Sequence, residues 1–117
     1  MLVYQRDIVE VSFLLPDKTV KPHPALVVSN DEVFMRENMF YGLLISSKSY
    51  EDDFEYEIHN EMVTKSLTKK SYIKCHMIQG FQTNQIIAKH GAMKKIYFDK
   101  LLEHFFNSVF KNQITIP

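Results

Sequence analysis

Val20–Asp31 reads VKPHPALVVSND, and the rest of the chain is best read outward from it. Proline fixes φ and has no N–H to donate, and it pushes the residue before it out of helical φ/ψ. Lys21–Pro24 is therefore expected as a rigid, extended approach. Ala25–Val28 is short, apolar and partly β-branched, as a buried central strand would be. Ser29-Asn30-Asp31 then punctuates the run and can cap a short helix over Glu32–Asn38. A stiff, charged lip at the mouth of a buried strand holds side chains reproducibly at a surface, so a site is expected there.

Upstream, Val9, Val11 and Phe13 alternate with Glu10 and Ser12, which predicts a strand with one strongly buried face. Pro16-Asp17-Lys18 is a turn signal leading back into the opening stretch. Downstream, strands are expected over Met39–Ile45, Phe54–Ile58 and Ser71–Met77. Gly42 inside the first of these marks a bulge or a close backbone approach. Glu51, Asp52 and Asp53 read as a solvated loop, Thr64–Lys70 as a polar connection, Gly80–Asn84 as a turn, and Ile86–Met93 as a short extended piece. Phe98, Leu101, Leu102, Phe105, Phe106, Val109 and Phe110 then recur at helical spacing. That helix could start at Asp99 or a turn earlier, near Lys95. Short strands followed by one amphipathic helix predict a mainly β fold, a strongly bent sheet or barrel with the helix across one opening.

The bulk numbers narrow the function. The chain has 117 residues, 45% hydrophobic and 13% aromatic, which fits one folded domain over 1–117. Its 14 basic and 14 acidic residues cancel, so a polyanion site would have to come from a local patch. One cysteine, Cys75, permits no internal disulfide and suits a reducing compartment. No membrane span and no signal peptide are expected, which points to a cytoplasmic protein. His23, His59, His76, His90 and His104 show no ligand spacing, so neither a metal nor another cofactor is expected. Cys75 reads as a buried structural thiol and His104 as a surface residue of the helix. No Gly-rich phosphate loop or G-x-S-x-G is present.

Several stretches, in this order, resemble the MazF/PemK-like toxins of type II toxin–antitoxin modules. Asp7-Ile8-Val9 is similar to that family's G-D-I-V opening. Pro24–Asn30, PALVVSN, is similar to its R-P-A-L-V-V-S-N strand, and Leu44-Ile45-Ser46 to the next strand, ending I-T or I-S. Ser71–Gln79 resembles S-Y-V-x-C-D-Q-I-R, and His90-Gly91 with the final helix falls where the family has K-I-G-K-L and its C-terminal helix. The resemblance implies an SH3-like antiparallel β-barrel with a C-terminal amphipathic helix, a homodimer, and a cognate antitoxin as partner. It also implies a metal-independent endoribonuclease that cuts single-stranded RNA by 2′-OH attack on the adjacent phosphate. His23 stands where the family has its catalytic arginine, and Ser46 at its Thr/Ser position. These two are the expected catalytic residues, with Lys21, Ser47, Lys48 and Gln79 as RNA contacts from the same barrel mouth. Arg6 replaces the leading glycine, and His76 and Gln79 replace an acid and a cation. Imidazole can give and take protons near neutrality, whereas guanidinium cannot. The replacements therefore set a retooled nuclease against a second reading, an inactive barrel that only binds RNA or a protein.

Overall fold

The computed structural model describes residues 2–113. Six strands run in the order β1 Asp7–Leu14, β2 Val20–Val27, β3 Met39–Ser46, β4 Glu55–Ile58, β5 Ser71–Gln82 and β6 Ile86–Ala92. Helix α1, Asp31–Glu37, lies between β2 and β3, and α2, Lys95–Phe105, follows β6 and continues into a π-helical turn over Phe106–Phe110. The strands form one antiparallel sheet, ordered β4-β5-β3-β2-β1-β6.

Both faces of the central strands are apolar. Ile8, Leu26, Leu43, Ile45, Ile73 and Cys75 point to one side, where Phe98 and Leu101 of α2 cover them. Val9, Val11, Phe13, Ala25, Leu44 and Phe81 form a second core on the other side. A sheet with helix on only one face can bury the other face by curling on itself. The curl is tight enough that the Leu14 amide of β1 donates to Gln79 Oε1 of β5 at 3.1 Å. Phe13 and Phe40 both pack on Phe81 across the hollow side, each at 5.5 Å between ring centroids. The strand ladder does not close between β4 and β6. Instead the segment after β4 meets the end of β6, with Thr64 N on the Ala92 carbonyl (2.9 Å) and Lys94 N on that of Met62 (2.8 Å).

Ser29, Asn30 and Asp31 divide the capping work. Asn30 Oδ1 accepts from Val33 N (3.1 Å) as the N-cap of α1, Ser29 Oγ from Tyr41 N (2.8 Å), and Asp31 Oδ1 from Gln5 N (2.7 Å). Asn38 ends the helix in the left-handed region at φ 53°, which asparagine tolerates. Of the two possible starts for the last helix, Lys95 is the one adopted, and Asp99 pairs instead with Lys95 at 3.0 Å.

Three local expectations change, and the alternative left open at Gly42 is decided. Lys21–Pro24 is not an approach to a strand but part of β2, paired along its length with Glu10–Phe13 of β1. Gly80 lies inside β5 rather than in a turn, and the turn is a 3-10 segment over Thr83–Gln85 in which Gln82 and Gln85 cap each other. Gly42 marks a close approach, since a Cβ there would lie 3.1 Å from Ala25 Cβ. The bulge comes one step later, where Leu43 faces Ile78 but Leu44 faces Lys74, so Cys75-His76-Met77 has no counterpart on β3. His104 is half-buried against the Tyr56 ring, at 5.4 Å, rather than on the surface.

Candidate active site

The two prolines of β2 shape the site through the bonds they cannot make. Val28 N donates to the Tyr41 carbonyl (3.0 Å), and Arg6 N to that of Val27 (2.9 Å). Even-numbered residues of this strand therefore turn their backbone polar groups toward β3, and odd-numbered ones toward β1. Pro22 and Pro24 are even, so their missing N–H groups fall on the β3 side. The β2–β3 ladder stops at Ala25–Leu44 accordingly. Beyond it lies a hollow of about 200 Å³, lined by His23, Pro24, Ile45, Ser47, Thr68 and Lys69 among others. The stiff Pro-His-Pro segment creates this opening by ending a ladder.

Directly opposed residues of an antiparallel pair point to the same face. Val11 faces His23, Ser46 faces Tyr72, and Tyr72 faces Glu57. His23 and Ser46 each lie two residues past the last β2–β3 pair, on the same face as it. His23, Ser46, Tyr72 and Glu57 thus form one polar row across the sheet. The next row inward is Val9, Ala25, Leu44, Lys74 and Glu55. The two expected catalytic residues are therefore brought together on one face.

The other expected residues fall in different places. Ser47 lines the same hollow, and Ser46 Oγ accepts from the Lys48 amide at 3.2 Å, which turns the chain away from β3. Lys21 is exposed, two residues before His23 on β2 and opposite Phe13. Gln79 lies elsewhere: it pairs with Gly42 of β3, its side chain holds the end of β1, and it lines a separate hollow of about 430 Å³ with Leu14, Pro16 and His76.

Sequence reading missed Lys74. Its side chain is fully buried, with Nζ 2.6 Å from Glu55 Oε2 and 3.9 Å from the centre of the Tyr50 ring. Glu55 also accepts from Ser49 Oγ (2.5 Å) and from Tyr50 N (2.9 Å). Lysine is almost never fully buried unless paired. The Lys74 bond, then the Ser49 hydroxyl, hold the Glu55 carboxyl down to about 2. This network fastens the loop that leaves Ser46 to the floor of the sheet. A lysine amid the apolar residues of Ser71–Ile78 was the one signal in the sequence, but its partner depends on strand pairing. Cys75, by contrast, is buried as expected, and burial pushes its thiol up to about 12, which keeps it unreactive.

The PemK-like, MazF-like toxins of type II toxin–antitoxin systems match the chain over residues 4–108. The chain belongs to this family. Solved structures agree on the fold. An endoribonuclease from a mycobacterial species aligns with a TM-score of 0.73 at 10% identity, covering 96% of this chain and 97% of its own. MazF from Deinococcus radiodurans gives 0.74 at 9% identity, covering 92% and 96%. The Mycobacterium tuberculosis toxin MazF-mt6 gives 0.70 at 16%, covering 88% and 95%. No curated protein matches the sequence significantly. Within this toxin, the replaced glycine of the opening motif has a visible consequence: Arg6 holds φ 81°, a backbone shape that favours glycine. It stays tied down through Arg6 N to Val27 and Met93 N to the Arg6 carbonyl, 2.9 and 2.8 Å.

Proposed function

We propose that this toxin is a metal-independent endoribonuclease that cleaves single-stranded RNA, with His23 and Ser46 at its centre. Family membership supports the reaction class. The single observation that carries the assignment to these residues is the polar row beside the hollow that the prolines open. In the reaction the 2′-oxygen attacks phosphorus, a 2′-O–P bond forms and the bond to the 5′-oxygen breaks. One proton leaves the 2′-OH and one reaches the departing 5′-oxygen. His23 is suited to exchange these protons, and the Ser46 hydroxyl to donate toward the phosphate oxygens where charge grows. Ser47, Lys48 and Lys21 extend polar contacts along the same mouth. Gln79 belongs to this set only if RNA also reaches the separate hollow it lines.

The same reading implies a cytoplasmic protein that pairs with a second copy and is held in check by a cognate antitoxin. A mycobacterial endoribonuclease of this fold is known in complex with its cognate antitoxin, with a TM-score of 0.75 at 11% identity. Purified protein incubated with mixed RNA in EDTA, with the cut ends mapped, tests the activity. His23→Ala should lower the rate by about 10²–10⁴-fold with the fold intact. His23→Arg should lower it too at neutral pH, because a guanidinium holds its proton. A faster His23→Arg variant would mean that the wild type has decayed into a binding module. Undiminished cleavage by His23→Ala would move the site elsewhere.

A further inference from the structure

Thr64–Lys70 carries Lys65, Lys69 and Lys70 and no acid, in a chain whose formal charges cancel. The segment is exposed except at Leu67, which is half-buried and packs on the helix-side core. Leu67 thereby pins a lysine-bearing loop in place. That loop separates two hollows. One is the 200 Å³ hollow beside His23, and the other, of about 460 Å³, is bounded by Glu57, His59, Asn60 and Lys70. Leu67, Thr68 and Lys69 line both, so the loop is the wall the two hollows share, and Lys69 borders the one beside His23.

The charges along this wall are unevenly matched. Glu57 lies 3.6 Å from Lys70 Nζ and 3.4 Å from His59 Nε2, in an exposed arrangement that binds weakly. Among the described residues Lys69 has no ion-pair partner. Lys69 and Lys70, adjacent on a pinned loop that borders the hollow beside His23, suit a ligand with regularly spaced negative charges. Lysine meets phosphate as a compact point charge, without demanding a fixed orientation.

We propose that the loop Thr68–Lys70 is a phosphate-binding subsite for single-stranded RNA flanking the nucleotide cut beside His23, with Lys69 and Lys70 on successive phosphates. The proposal rests on the endoribonuclease reading for its direction along the RNA. Its test does not need cleavage. A 2′-O-methylated RNA long enough to span both hollows lacks the attacking hydroxyl, so it can be bound and not cut. Its dissociation constant is measured against salt concentration for the wild type and for Lys69→Gln/Lys70→Gln. A charge-matched control, Lys95→Gln/Lys100→Gln on α2, separates local binding from net charge, and circular dichroism checks the fold of each.

The log–log salt slope should fall by about 0.7 for each phosphate no longer neutralised, or about 1.4 for the Lys69/Lys70 pair, and stay unchanged in the control. Equal slopes for the two double variants would overturn the subsite. So would an unchanged RNA slope accompanied by weakened binding of an acidic peptide, which would assign the loop to a protein partner. If the wild type binds this RNA with the lysine-dependent slope yet fails to cut ordinary RNA, the subsite stands and the catalytic reading falls.

Discussion

Lys74 and Glu55 show what a single residue pair contributes here. Lys74 is fully covered, whereas 12% of the Glu55 side chain stays exposed and keeps two further donors, Ser49 Oγ and Tyr50 N. Removing one member therefore has unequal effects. Glu55→Gln leaves a buried ammonium without its counter-charge, while Lys74→Met leaves a carboxylate that still accepts two hydrogen bonds. Glu55→Gln should lower the thermal midpoint more than Lys74→Met does. The same carboxyl gives the acid response a sign. Its folded value is about 2, below its ordinary value, so between the two the unfolded chain binds more protons. That part of the stability is complete at neutral pH and is lost as the pH falls from about 5 toward 2. Urea midpoints measured across this window should decline for the wild type and flatten for Glu55→Gln. An equally steep decline in the variant would mean that other carboxylates carry the response.

At the scale of elements, the two kinds of periodicity differ in how much they reveal. The helical stripe was legible because each residue's burial depends on one repeat along α2. Even so, Phe106 and Phe110 are exposed, and Phe110 packs edge-on against Phe105, at 5.2 Å between ring centroids, instead of on the core. Leu101 lies at the centre of the docked face and is fully buried. Leu101→Ala should cost about 2–5 kcal/mol in denaturant unfolding, and Leu101→Asp should leave little folded protein. A Leu101→Asp variant with an unchanged midpoint would show that α2 is not docked on the sheet. In β2, Pro22 and Pro24 were legible as stiffness but not as strand. Their effect depends on which neighbour each missing N–H would have faced, and only the pairing of β2 with β1 and β3 decides that.

For the molecule as a whole, the curl of the sheet places the polar row of His23, Ser46, Tyr72 and Glu57 next to two buried cores, so a rigid floor carries the site. Assembly is a further expectation of the proposed function. Phe40 cannot contribute to a dimer surface, because it is buried on Phe81, whereas Met35 is highly exposed and Met39 partly so. Tyr41 and Ile78 add further exposed apolar surface. Light scattering at micromolar concentration should report a dimer. A strictly monomeric species over that range would overturn the paired reading and confine RNA recognition to one chain.

The sequence by itself determined what local chemistry controls: the alternating strands, a helix cap within Ser29-Asn30-Asp31, the amphipathic stripe, the inert cysteine and the PALVVSN pattern that points to the family. These depend on residues a few positions apart, whose effects on φ/ψ and side-chain direction are felt within the segment. Only the tertiary structure decided which strands are neighbours, and with them the row that unites His23 with Ser46, the burial of Lys74 against Glu55, and the separation of Gln79 from that row. His23 and Ser46 lie 23 positions apart and Lys74 and Glu55 19, while Gln79 is placed by the three-residue bulge at Cys75–Met77 and by its bond to Leu14, 65 positions away. Register across a ladder is a collective choice of two faces and all strands together, so no single stretch encodes it.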